Sequence, residues 1–312
     1  MVRHRADGLL AVLLATVAAT ATAAERPLEV LATTTVVADL VKQVGGSRVA
    51  VASLMADGVD PHSYRATPRD ADRLMRADLI VANGLHLEGK LAQLLDRLSR
   101  RRPVVAVAEA VPTGSLLPIG NGLYDPHVWF DAALWSHCPA AVAAALAEQD
   151  PAGAAGYAQR ADAYAARLRR LDTAIRTRLA TIPPARRVLI TAHDAFRYFG
   201  RAYGLEVVGV QGTSTESEAG LADMNRLVEL VVNRGIPAVF VETSVSDRNV
   251  TALREGAAAR GQPVALGGRL YSDALGPAGS DGETLEAALL ANVETIVATL
   301  GGPPRPTPGT RE

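Results

Sequence analysis

The stretch 151–182 constrains the fold more than any other part of this chain. Tyr157, Tyr164, Leu168, Leu171, Ile175, Leu179 and Ile182 recur at spacings of seven, four, three, four, four and three, which is one face of one helix. Asp150 reads as its N-cap and Pro151 suits its first position, while Pro183-Pro184 stops it. At 1.5 Å per residue such a helix is about 48 Å long. It spans more than one compact lobe, so it predicts a stiff connector between two lobes and not a flexible linker.

The flanking sequence agrees. Before the helix, apolar strand candidates lie near 28–33, 49–54, 78–82 and 103–107, alternating with helical stretches near 36–44, 68–76, 88–99 and 131–148. After it, strands near 187–191, 206–210, 237–241 and 263–266 alternate with helices near 194–203, 220–234, 247–260 and 283–300. Strand-helix alternation implies parallel sheets covered on both faces. The expected class is α/β, with two lobes, each a parallel four-stranded sheet with flanking helices, joined by one long backbone helix. The expected divisions are a signal peptide at 1–24, lobes at 25–150 and 183–300, the linking helix at 151–182, and a disordered tail at 301–312 that holds Pro303, Pro304, Pro306 and Pro308.

Arg3, His4 and Arg5 precede an apolar run from Gly8 to about Ala19 and a small-residue Ala21-Thr22-Ala23 motif, the pattern of an export signal. The formal net charge of −1 over 312 residues gives no support for nucleic-acid binding. The lone cysteine, Cys138, forms no internal disulfide and lies far from the signal region. On that ground the expectation is a periplasmic protein with a cleaved signal, not a lipoprotein. Beside His137, Cys138 would chelate poorly from one helix, and it reads as a small buried thiol.

Three histidines sit in short polar stretches just past strand candidates: His62 in Asp60-Pro61-His62-Ser63-Tyr64, His127 in the Asp125–Asp131 block, and His193 in Thr191-Ala192-His193-Asp194. Ligands of open parallel sheets bind outside the carboxyl ends of the strands. Imidazole is the commonest metal ligand, so three of them there point to a transition-metal site. Asp273, in the equivalent stretch after the last strand, completes a four-residue set, although residue chemistry alone reads it equally well as a helix cap. Two candidates per lobe place the site in the cleft. His86 also follows a strand and reads as a lining residue. Glu242 ends a strand and either orients a ligand imidazole or pairs with Arg248. Glu216 and Glu218 read as helix-capping or solvated acids. Trp129, Phe130, Tyr64 and Tyr271 flank the candidates and either shield the cleft or pack in the core.

These stretches, with Asn83–Glu88, Gln211–Glu216, Val241–Ser244 and Tyr271–Leu275, occur in order along nearly the whole chain. Together they resemble the solute-binding proteins of zinc, manganese and iron ABC transporters, the cluster A-I or ZnuA/TroA-like family. The resemblance implies two α/β lobes on a backbone helix and a metal held by His62, His127, His193 and Asp273. It further implies Zn2+ or Mn2+ as transported ligand, with Fe2+ less favoured, a membrane permease as partner, and a monomer. The stretch 112–125 is short and has no histidine, unlike the long His- and acid-rich loop of many zinc-dedicated members.

Two other functions use the same residues. One is an exported zinc-dependent hydrolase, but no His-Glu-x-x-His segment and no evident nucleophile accompany the site. The other is a surface adhesin, a role attributed to some relatives. The reading as a binding protein, not an enzyme, follows from a full set of protein ligands, which leaves little room for a reactive water.

Overall fold

The computed structural model describes residues 26–217 and 220–301. The expected signal peptide, the tail beyond Gly301 and Glu218 lie outside the described residues.

The first lobe runs β1 (Leu28–Ala32), α1 (Thr35–Gly45), β2 (Val49–Ser53), α2 (Pro68–Arg76), β3 (Leu79–Ala82), α3 (Ala92–Ser99) and β4 (Val104–Ala106). Its four strands form one parallel sheet in the order β2-β1-β3-β4. The helices start where capping chemistry allows. Thr34 caps α1 through the amide of Val37, and Thr67 with Asp70 builds a capping box on α2, with Pro68 in its first turn.

A short antiparallel hairpin, β5 (Pro118–Gly120) and β6 (Leu123–Tyr124), follows and was not evident in the sequence. Its turn residues Gly120, Asn121 and Gly122 all have positive φ. The single helix expected over 131–148 is instead two, α4 (Ala132–Trp135) and α5 (Cys138–Gln149), with Pro139 opening the second.

The connector α6 (Ala154–Leu179) is a helix of 26 residues. Residues 151–153 form a 3₁₀ turn ahead of it, and Asp150 does not cap. Its carboxylate is occupied by Arg48, at 2.6 and 2.7 Å, and by the Tyr157 hydroxyl. The apolar face from Tyr157 to Leu179 is fully buried, as the spacing required.

The second lobe runs β7 (Val188–His193), α7 (Arg197–Tyr203), β8 (Glu206–Gln211), α8 (Leu221–Arg234), β9 (Ala238–Glu242), α9 (Arg248–Ala259), β10 (Ala265–Leu270) and α10 (Leu285–Leu300). Parallel ladders join β7 to β8 and β9 to β10, and β7 lies beside β9. The strands thus lie in the order β8-β7-β9-β10, but among the described residues they form two two-stranded parallel sheets with no ladder between β7 and β9, where a single four-stranded sheet was expected. One apolar cluster runs from β1 and α1 through α6 to α7 and α10, so the lobes share a core. Phe130 of the first lobe stacks on Phe196 of the second, with ring centroids 4.2 Å apart. Among the described residues no helix is long and apolar enough to cross a membrane.

Candidate metal centre

The carboxyl ends of both sheets face each other, and the four sequence candidates meet there. His62 comes from the turn after β2, His127 from the segment after the hairpin, His193 is the last residue of β7, and Asp273 follows β10. One donor atom from each lies within 4.8 Å of all the others. Their relative exposures are 3%, 0%, 0% and 1%.

The distances match a small coordination sphere. His62 Nε2 lies 3.2 Å from His127 Nε2 and 3.9 Å from Asp273 Oδ2. His127 Nε2 is 3.4 Å from Asp273 Oδ1, and His193 Nε2 is 3.3 Å from Asp273 Oδ2. Four ligands on metal bonds of about 2.0–2.1 Å stand about 3.3–3.4 Å apart along the tetrahedron edges. His193 Nε2 and Asp273 Oδ1 are fully buried with no hydrogen bond of acceptable geometry, the condition expected of atoms shaped for an ion.

Two imidazoles are locked from behind. Asp125 Oδ1 accepts from His127 Nδ1 at 2.8 Å and from the His127 amide at 3.0 Å. Glu242 does the same for His193, at 2.6 Å from Nδ1 and 2.8 Å from the amide. Glu242 reaches this place because it ends β9, the strand beside β7. Both carboxylates hold the proton on Nδ1 and turn Nε2 toward the centre. Sequence reading offered this role to Glu242 and gave none to Asp125. The repeated Asp-Pro-His tripeptide at 60–62 and 125–127 was the signal available.

The electrostatics follow from that backing. Burial by itself would lower the pKa of His127, but Asp125 and Asp273 outweigh it and raise the imidazole to about 9. His193 is likewise pushed well above the usual histidine range, with Glu242 and Asp273 overcoming burial. For His62 burial wins over the nearby Asp273, and its pKa falls to about 4. Burial would raise the pKa of Asp273, yet the two cationic imidazoles His193 and His127 hold it well below the usual carboxylate range.

Supporting contacts fix the rest. The Asp273 amide donates to Ser244 Oγ at 3.3 Å. Trp129 is buried edge-on to His127, with centroids 5.3 Å apart, and its Nε1 donates to the Ser272 carbonyl across the cleft. Glu88, buried, accepts from the Thr33 hydroxyl and the amides of Asn83 and Gly84, and so knits the ends of β1 and β3 together. Gly89, at φ +42°, lies so close to this turn that a Cβ would sit 2.2 Å from the His62 carbonyl oxygen.

Several expectations change. His86 is exposed, in a left-handed backbone conformation, and belongs to the separate cavity beside α3, not to the metal centre. Tyr64 and Tyr271 do not shield the site: their hydroxyls donate to Asp70 and Asp281. Glu216 does not cap a helix but pairs with Lys90 of the first lobe at 3.2 Å. Asp131 caps α4 through the Leu134 amide. The expectation for Cys138 holds: it is a buried thiol, and burial pushes its pKa up.

Residues 30–299 match the family described as ZnuA, zinc-uptake complex component A periplasmic. The chain is 44% identical over 278 residues to the manganese-binding lipoprotein MntA of Bacillus subtilis (strain 168), covering 89% of this chain and 91% of that protein. It is 45% identical over 275 residues to the zinc-binding protein TroA of Treponema pallidum (strain Nichols), covering 88% and 89%. The solved structure of the periplasmic zinc-binding protein TroA from Treponema pallidum superposes with a TM-score of 0.86, at 44% identity, covering 89% of this chain and all of that one. A more distant relative, 29% identical over 280 residues and covering 88% of this chain and 87% of its own, is the iron-binding protein YfeA of Yersinia pestis.

These relatives correct one expectation. MntA of Bacillus subtilis is named a lipoprotein, as are MntA of Halalkalibacterium halodurans and SloC of Streptococcus mutans. The expectation of a protein without lipid is overturned by those names. It had rested on where a cysteine does not stand, and Cys138 is a buried core residue that says nothing about anchoring.

Proposed function

Because this chain belongs to the ZnuA family of metal-uptake solute-binding proteins, we propose that His62, His127, His193 and Asp273 are the ligands of its cargo, a divalent zinc or manganese ion held in the interlobe cleft. A protein of this family carries a metal for an ABC transporter and is not an enzyme. The observation that carries the ligand assignment is the convergence of three Nε2 atoms and one carboxylate, two of the imidazoles being turned by Asp125 and Glu242.

The donor set suits both metals. Zinc takes three nitrogens and one oxygen as a tetrahedron. Asp273 directs one oxygen toward His127 and the other toward His193, so a bidentate carboxylate adds the further oxygen that favours manganese. All four ligands come from one chain, which supports a monomer as the working unit. The metal-loaded protein then hands its ion to a membrane permease.

Elemental analysis after equilibration with zinc or manganese tests the assignment. The native protein is expected to hold one ion per chain and His193→Ala less than a tenth of that at micromolar free metal. Full occupancy in His193→Ala would refute the ligand set.

A further inference from the structure

The segment after β8 crosses to the first lobe. Thr215 Oγ1 donates to Asp60 Oδ2 at 2.6 Å, and the neighbouring Glu216 carboxylate lies 3.2 Å from Lys90 Nζ. Asp60 is joined directly to the metal centre's backbone. Its Oδ1 accepts from the His62 amide at 2.9 Å, and its Oδ2 also accepts from the Ser63 hydroxyl at 2.7 Å. One carboxylate thus couples the turn that carries His62 to a hydroxyl of the opposite lobe. The same turn comes near the second lobe again at Gly58, where a Cβ would stand 3.4 Å from the Thr243 carbonyl oxygen.

The other site residues are held differently. His127 and His193 are gripped at Nδ1 by buried carboxylates, and Asp273 sits in a segment pinned by Ser244, by Trp129 on Ser272, and by the Thr35 hydroxyl on the Leu275 amide. The His62 ring is placed by its turn, and that turn is fastened across the cleft through Asp60.

We infer that Thr215 is a positioning residue for metal retention: its hydroxyl latches the His62 turn shut over the ion, and breaking the Thr215–Asp60 bond precedes release. This rests on the metal-binding reading above. An ion leaves a multidentate site one ligand at a time, and the ligand without rigid backing leaves first. A hydrogen bond to a carboxylate in a half-buried place is strong enough to govern that step. The Lys90–Glu216 pair, half-exposed at both ends, is screened by solvent and contributes little. The latch acts on the closed state, so it slows dissociation and leaves encounter with the open site unchanged.

The test uses zinc alone as probe. Protein loaded with zinc is mixed with excess chromophoric chelator, and the release rate is read by stopped flow alongside the association rate. Thr215→Val and Thr215→Ala are expected to release zinc about tenfold faster, with association unchanged, in line with the loss of one hydrogen bond to a charged group. Thr215→Ser, which keeps the hydroxyl, should stay within about twofold of the native rate, and Glu216→Gln within about threefold. Native release rates in both hydroxyl-deleting variants would overturn the latch. So would a fast Thr215→Ser, because packing and not the hydroxyl would then be responsible. Failure of the metal-binding reading looks different: the unsubstituted protein would take up no zinc.

Discussion

The tripeptide Asp-Pro-His occurs twice in this chain, and the two copies are used in opposite ways. In both, the aspartate's Oδ1 accepts the histidine amide two residues on, at 2.9 Å for Asp60 and 3.0 Å for Asp125. There the likeness ends. Asp125 is wholly buried and also grips the ring of its own histidine, so His127 is oriented and its pKa rises to about 9. Asp60 stands at the cleft mouth and turns its second oxygen to Ser63 and Thr215, so it does not grip the ring of its own histidine, and burial lowers the His62 pKa to about 4. Identical local sequence gives the same turn but not the same chemistry, because burial and the third partner are set by the fold. The site therefore has a fixed side, His127 and His193, and a hinged side, His62.

The sharpest consequence of that division is the dependence on pH. In the metal-free site the raised imidazoles His127 and His193 hold protons at neutral pH, while His62 is already neutral. A protonated imidazole does not coordinate, so the ion displaces those protons. Binding strengthens as pH rises and levels off only above about 9, where His127 loses its proton unaided. A slope of about two in log affinity per pH unit is expected between pH 6 and 8, a change of roughly four orders of magnitude. Competition titrations across that range measure it. A transition confined to the ordinary histidine range near 6.5 would remove the distinction between the two loops.

Alanine substitutions come next in size. Loss of either imidazole should weaken zinc binding by about two orders of magnitude or more, with His127→Ala costing more than His62→Ala because Asp125 holds the His127 ring in its coordinating orientation before the ion arrives. Isothermal titration of both variants ranks them, and the reverse order would break the fixed-and-hinged picture. Asp125→Asn and Glu242→Gln remove only the backing and should each reduce affinity by about 10–100-fold, measured in the same way.

Smallest for binding, though not for stability, is the connector. Leu168 is wholly buried on the inner face of α6, and Leu168→Ala should destabilise the protein by about 2–5 kcal/mol in chemical denaturation. Zinc affinity below the unfolding range should be unchanged, because no residue of α6 reaches the site. A large affinity loss would make the helix part of the metal machinery.

Much of this architecture was legible because it is written in local pattern. The strand-helix alternation, the apolar face of α6 and the polar stretches at strand ends needed no knowledge of distant contacts. What was hidden depends on neighbours far along the chain. Asp150 looked like a cap for the connector but is taken by Arg48, about a hundred residues away, and by Tyr157. Tyr64 and Tyr271, close in sequence to the candidate ligands His62 and Asp273, donate to Asp70 and Asp281 instead. The segments carrying Asp273 and His193 are both pinned in the structure, His193 by Glu242 and the Asp273 segment by Trp129 and Thr35 of the first lobe, whereas the His62 turn is held across the cleft through Asp60 and Thr215. A shared core and a rigid α6 argue for a small rotation of the lobes.

The most direct test of the whole account is anomalous diffraction from crystals of the metal-loaded protein at the zinc or manganese edge. The account predicts one strong peak in the cleft, within about 2.0–2.2 Å of Nε2 of His62, His127 and His193 and of an Asp273 carboxylate oxygen. A peak bound through Nδ1 of His127 or His193, or one lying away from these four residues, would contradict it.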